Sequence, residues 1–390
     1  MRALPILAVV AVLAACTVAS PSPSNGPSEA AASQAPSVGE TLVLAPTPPP
    51  GEPWTSVLID DEGFPLDLIS RPEGGLLAVG FDGTGNDPRA WLTDDEATWA
   101  EATGVPAAPD DAVWHFGRVV WSGTRYVAAG EVGVRDSEVF HSGIWTSPDG
   151  NAWQKVADLD GILLDLIAGG PGLLAVGTRY GDSHYNGAVA WGSADGVTWT
   201  EAAEIPGGED AAIADVVAFD GGFVAVGGRG DELAQLDAAV WRSADGVQWS
   251  AVDLDASPSH QSFSGVAVVD GRLVATASVQ VQPPALWSAA IWSSADGTSW
   301  SREYERGCCG EFLDLIGGPD PVALLLWHQP NTPYRAAQVI GDGGSWEVEG
   351  AVDDGTVSWT ALVETDSGLL GLGARNGIRV PLLLTPPASR

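Results

Sequence analysis

The side chains best equipped for chemistry in this chain gather in a few short polar stretches. The densest is TRYGDSHYNG (178–187), which brings together Arg179, Tyr180, Asp182, His184 and Tyr185. A guanidinium, a carboxylate, an imidazole and two phenols suit a sugar or a peptide, because the rings cover apolar faces while the charges fix polar ends. A second stretch, EVGVRDSEVFHS (131–142), carries Arg135, Asp136, Glu138 and His141. Sparser groups are Asp110, Asp111 and His115, then Tyr304, Glu305, Arg306 and Glu311, then His328, Tyr334 and Arg335. Solvated loops carry the same residue types without a ligand, so a binding reading and a plain surface reading both stand. The tripeptide Arg229-Gly230-Asp231 is too short a match to carry a function.

Four carboxylates recur at one place in a repeated phrase: Asp67, Asp165 and Asp314 in LDLI, and Asp215 in ADVV. Gly117 and Gly265 take that place in two further copies. Facing a channel, such carboxylates would hold water or a cation. Tied to backbone amides, they would be structural, since a buried carboxylate must be paired. Cys308 and Cys309 stand side by side in RGCCGEF. Adjacent α-carbons lie ~3.8 Å apart, below the usual disulfide range, so a bond between them would be strained. Gly307 and Gly310 would ease such a ring, and free thiols or a redox or metal role are the alternatives. No second ligand pair of a zinc site stands nearby, and the chain carries no cofactor signature.

The elements that position these groups follow from a repeat. The phrases WLTDDEATW (91–99), WTSPDGNAW (145–153), WGSADGVTW (191–199), WRSADGVQW (241–249) and WSSADGTSW (292–300) share one pattern, and QVIGDGGSW (338–346) keeps its second half. Their closing tryptophans are 54, 46, 50, 51 and 46 residues apart, a period that marks a repeat architecture. The unit from Ile213 to Asp253 reads as four short strands broken by Asp-Gly and Gly-Gly turns, with no helical period. Phrases such as GGLLAVG (74–80), PGLLAVG (171–177) and SGLLGLG (367–373) mark the second strand. Seven units fit between Trp54 and Pro386, which predicts an all-β, seven-bladed β-propeller of four-stranded blades. The last unit lacks a fourth strand, and PWTSVLID (53–60) resembles a fourth strand without a unit. Pairing the two would close the ring and leave no orphan edge.

Within the repeated phrase, Asp149, Asp195, Asp245, Asp296 and Asp342 are placed to accept hydrogen bonds from turn amides. The glycine that follows each permits positive φ. In the first copy Glu96 replaces that glycine, which predicts a different turn there. Calcium binding is the competing reading, but one carboxylate per turn is too few for a calcium shell. Ser-x-Asp-Gly-x-x-Trp resembles the Asp-box (BNR) repeat of sialidase-like propellers, one residue shorter than the usual spacing. The D-V-V-A-F…G-x-x-A-V-G pattern is also similar to the repeat of photosystem-assembly propeller proteins. The resemblance spans nearly everything after residue 53. It implies the propeller fold and two candidate activities, glycoside hydrolysis and assembly of a protein complex. A sialidase would need an arginine triad, a tyrosine–glutamate pair and an aspartate acid. Arg135, Arg179, Arg229, Arg335 and Arg375 lie in or beside second-to-third-strand loops, but no Phe-Arg-Ile-Pro signature precedes them. No catalytic residue can be carried over.

The ends and the charge supply an address. MRALPILAVVAVLAACTVAS has a basic start, an apolar run and Leu13-Ala14-Ala15-Cys16, which resembles a bacterial lipobox. The expectation is a signal peptide at 1–15, lipid on Cys16, a Pro/Ser/Ala-rich tether over 16–53 and a propeller over 54–390. The chain holds 51 acidic side chains against 17 basic ones, with a formal net charge of −34 and Lys155 as its single lysine. Such a surface repels phosphate backbones, which argues against nucleic acid as a partner. The sequence therefore predicts an extracytoplasmic monomer that meets the membrane only through its lipid and presents loops to a protein or glycan.

Overall fold

The computed structural model describes residues 54–60, 62–134, 140–170, 172–180, 185–208, 210–230, 236–254, 261–282, 286–318, 321–327, 335–341, 345–352, 357–365, 368–375 and 381–386. The expected leader, Cys16 and tether lie outside them. The described residues form strands and turns and contain no helix.

After β1 (Thr55–Leu58), the first blade contains β2 (Phe64–Ser70), β3 (Leu76–Phe81), β4 (Pro88–Thr93) and β5 (Ala100–Glu101). The second contains β6 (Ala112–Trp114), β7 (Arg118–Trp121), β8 (Tyr126–Val134), β9 (Phe140–Ser147) and β10 (Gln154–Leu159). The third runs through β11 (Ile162–Gly169), β12 (Gly172–Tyr180), β13 (Tyr185–Ser193) and β14 (Thr200–Glu201). The fourth has β15 (Ala211–Phe219), β16 (Gly222–Arg229), β17 (Asp237–Ser243) and β18 (Trp249–Val252). The fifth has β19 (Gln261–Val269), β20 (Arg272–Gln282), β21 (Leu286–Ser294) and β22 (Ser301–Cys308). The sixth has β23 (Gly310–Ile316), β24 (Val322–Trp327), β25 (Arg335–Gly341) and β26 (Trp346–Ala351), and the chain ends with β27 (Val357–Thr365), β28 (Gly368–Arg375) and β29 (Pro381–Thr385).

Every sheet is antiparallel, and the last has the order β1-β29-β28-β27. The N-terminal strand thus completes the seventh blade in the register Thr55↔Thr385 to Leu58↔Leu382. Trp54 reinforces this closure. Its ring meets Trp359 edge-on at 5.4 Å, and its N–H donates to Val352 O at 3.1 Å in the sixth blade.

Second strands are apolar along their middles because neighbouring blades cover both faces there: all six residues of LLAVGF in β3 are buried. The core is consequently a series of seams between blades. One packs Leu174, Val176 and Ala190 of the third blade against Ile213, Phe223 and Trp241 of the fourth. The inner strands β2, β11, β15, β19, β23 and β27 each carry a bulge one residue before a common position. In the second blade a break at His115–Gly117 between β6 and β7 replaces the bulge, and both short strands pair with β8.

The polar residues Tyr304, Glu305 and Arg306 stand between two repeats in the sequence, where the pattern predicts a loop. They belong instead to β22, and Cys309 alone separates that strand from β23. An eight-residue outer strand paired along β21 leaves no chain for a loop at this junction.

Candidate functional site

Two faces and a channel could carry function. The turn face holds the tryptophan-flanked phrases. In the second copy Gly150 N–H donates to Ser147 Oγ at 2.9 Å, and Asp149 Oδ1 accepts from the N–H groups of Asn151 and Ala152, both at 2.9 Å. Trp153 Nε1 closes the turn on Gly150 O at 2.8 Å. Asp195, Asp245 and Asp296 each receive the same two amides in their turns. These amide bonds, which favour the charged form, hold the carboxyls of Asp149, Asp195, Asp245 and Asp296 below the ordinary aspartate range. Each aspartate is thus engaged by its own backbone. Asp342 lies outside the described residues. The first turn corrects the sequence expectation: Glu96 takes φ 58°, beside 71–76° at Gly150, Gly196, Gly246 and Gly297. Asp95 still accepts from Ala97 and Thr98, so the hydrogen-bond frame forces glycine's conformation on a glutamate.

In the channel wall, Asp67, Asp215 and Asp314 each accept the N–H of the next residue on Oδ1, at 2.8, 2.7 and 2.8 Å. Their Oδ2 atoms reach across to the next blade and accept from Val119, Val266 and Leu362 at 2.8, 2.7 and 2.8 Å. An inner strand has no partner on its channel edge, and these aspartates supply acceptors for its stranded amides. One aspartate serves two blades, so Asp67, Asp215 and Asp314 satisfy six of the seven inner strands. Of the two sequence readings of these carboxylates, backbone ties describe what the oxygens do.

The second blade's place in this ring belongs to Arg118, not to Gly117. The amide after Arg118, Val119 N–H, donates to Asp67 Oδ2 as the amides of Val266 and Leu362 donate to Asp215 and Asp314, which sets Arg118 level with Gly265 and Ala361 on their inner strands. The break at 115–117 displaces the repeated phrase by one residue, which puts the arginine where the sequence pattern predicts Gly117. Arg118 Nε lies 3.8 Å from Asp165 Oδ1. Gly265 does hold the fifth position, where a Cβ would meet Thr276 Oγ1 at 3.0 Å. Burial in the wall pushes Asp67 up to about 6 and raises Asp314. Burial, then the charge and hydrogen bond of Asp165, raises Asp215 well above the aspartate range. Glu311 is pushed up to about 7 by burial alone.

The loop face holds most of the proposed binding residues. Asp182, His184, Arg135, Asp136 and Glu138 lie outside the described residues, as do His328 and Tyr334. Tyr180 and Tyr185 pair with each other at the ends of β12 and β13. The crossover from the second to the third blade brings His141 and Arg179 to its two sides. His141 Nε2 lies 2.9 Å from Asp158 Oδ1, which Lys155 Nζ also contacts. The ammonium of Lys155 stands 5.1 Å from the Trp114 ring centroid. Two residues further on, Asp160 Oδ2 is 3.9 Å from Arg179 Nε, and Arg179 also pairs with Glu201. His141 and Arg179 remain more than a third exposed. Arg179, Glu201 and the segment Ala202–Ile205 line a cavity of about 170 Å³ beside this crossover.

His115 is buried, with 1% of its surface exposed, and Nε2 lies 2.9 Å from Gly85 O, so that nitrogen carries the proton. Asp110 and Asp111 are exposed. Cys309 is disulfide-bonded and buried; the side chain of Cys308 lies outside the description. Sequence reading missed the Lys155–Trp114 contact, since neither residue sits in a polar stretch.

No protein-family model matches the chain, and no curated protein matches it. Its fold is similar to solved propellers. The structure of YCF48 bound to D1 peptide is 15% identical with a TM-score of 0.55, over 87% of this chain and 100% of that one. Trypanosoma rangeli sialidase in complex with sialic acid is 14% identical with a TM-score of 0.47, over 89% and 57%. The GH43 endo-arabinanase from Bacillus licheniformis is 13% identical with a TM-score of 0.34, over 63% and 99%. At such identities the likeness establishes the fold alone, and one fold hosts many activities.

Proposed function

We propose that this chain is a lipid-anchored, extracytoplasmic propeller of Asp-box-type repeats that binds a protein or glycan partner through its loop face. The observation that carries this reading is the crossover between the second and third blades. There His141 and Arg179 stand exposed, and Asp158, which His141 contacts, also receives Lys155 beside Trp114, all in a strongly acidic chain. Exposed hydrogen-bonding side chains close to an aromatic ring fit a ligand with carboxylates or hydroxyls on an apolar frame. A peptide has these features, and the similarly folded YCF48 is described in complex with one. The tether would leave from the other face. Thr55 begins β1 beside Thr385, at the turn-face end of the outer strand. Lipid on Cys16 would therefore anchor the chain on the side opposite the loops.

The test is a peptide array and a glycan array probed with the chain, with a fluorogenic sialoside assay alongside. Saturable binding weakened at least ~10-fold by Arg179→Ala, an ordinary cost for an interfacial arginine, is the expected result. Sialoside turnover abolished by the same substitution would replace the binding reading with a hydrolase.

A further inference from the structure

Asp165 is surplus to the scheme that satisfies the inner strands. Its Oδ2 lies 3.2 Å from Val216 N–H, which Asp215 already receives at 2.7 Å. Asp165 Oδ2 and Asp215 Oδ1 thus converge on one N–H, which sets the two carboxyl groups side by side across the seam. Two carboxyl groups can share a hydrogen bond only if one carries a proton. We propose that Asp165 and Asp215 form a proton-holding clasp across the seam between the third and fourth blades, which makes the strength of that seam depend on pH.

The surroundings assign the roles. Arg118 Nε lies 3.8 Å from Asp165 Oδ1, which puts a positive charge beside the Asp165 side of the pair. Asp215 is the acid: burial first, and then the charge and hydrogen bond of Asp165, hold its proton on. From the other elements packed against β15, β19 and β13 present no charged side chain. β16 carries only Arg229, paired with Ala211 at the far end, and β12 carries Arg179, already paired with Glu201. Asp67 and Asp314 complete the charges felt by Arg118. Asp215 also ties the seam beyond, because its Oδ2 accepts from Val266 of the fifth blade.

The sign follows from linkage. The folded chain keeps a proton that an unfolded aspartate, with an ordinary value of 3.8, has released. The contribution is complete below that value and is lost as pH rises through the folded value. In this window each pH unit costs tenfold in the unfolding equilibrium per proton.

Denaturant unfolding of the full chain and of Asp165→Asn across pH 5–8 tests the clasp. Asparagine can donate to Asp215 without any shared proton. With the Asp165 charge gone only burial holds the Asp215 proton, so the slope of log unfolding constant against pH should fall by up to one proton in the variant. An unchanged slope overturns the proposal. If the variant does not fold, a ¹³C titration of the assigned Asp215 carboxyl in the unsubstituted chain decides: an inflection well above the aspartate range supports the clasp, and one within it overturns it.

Discussion

At the residue scale, most of the chemistry in this chain is spent on its own backbone. The turn aspartates hold two amides each, and the channel aspartates hold amides of two blades. Glu96 shows what the turn demands: at φ 58° it pays a cost that glycine does not. Glu96→Gly is expected to stabilise the protein by about 1 kcal/mol, read as a higher denaturant midpoint at constant slope. Asp67 and Glu311 argue a pH dependence of opposite sign to ordinary acid unfolding. Both bind protons more tightly when folded, so their contributions are present below 3.8 and 4.5 and are lost as pH rises to about 6 and about 7. Thermal midpoints should therefore fall between pH 4.5 and 7, and Glu311→Gln should flatten the upper part of that fall. A midpoint that rises over this range would contradict the assignment.

At the element scale, the closure and the repeats were legible and the junctions were not. Seven phrases of the GLLAVG kind, each buried on both faces, gave the second strands and hence the count of blades. The unit without a fourth strand and the strand without a unit gave the closure. What escaped the reading were departures from period: the broken inner strand that puts Arg118 in the ring, and the long β22 that absorbs Tyr304 and Glu305. Both are set by pairing with a neighbouring strand, information that a linear pattern does not hold. The binding residues were half legible, since polar stretches pointed to His141 and Arg179 but not to the Lys155–Trp114 contact that shares Asp158 with His141. Truncation of residues 1–60 removes β1 and the Trp54–Trp359 contact. Loss of that one buried ring alone predicts about 3–5 kcal/mol of destabilisation by denaturant unfolding. An unchanged midpoint would mean that the ring closes without its N-terminal strand.

At the scale of the whole molecule, a rigid ring separates two faces with different tasks. The turn face is locked by repeated hydrogen bonds, and both described chain ends lie at it. The loop face carries the inter-strand connections and the exposed Arg179 and His141, where binding surfaces on scaffolds are found. The lipid anchor proposed for Cys16 makes a separate prediction: Cys16→Ser should move the protein from the membrane fraction to the soluble one. The measurement that bears most directly on the binding account is photo-crosslinking of the intact chain in its own cells. A photoreactive residue would be placed at Asp110 or His141 on the loop face, and at Asp94 or Asp245 on the turn face. The account predicts a discrete adduct from the loop-face positions alone. Adducts from the turn face, or none from either, would contradict it.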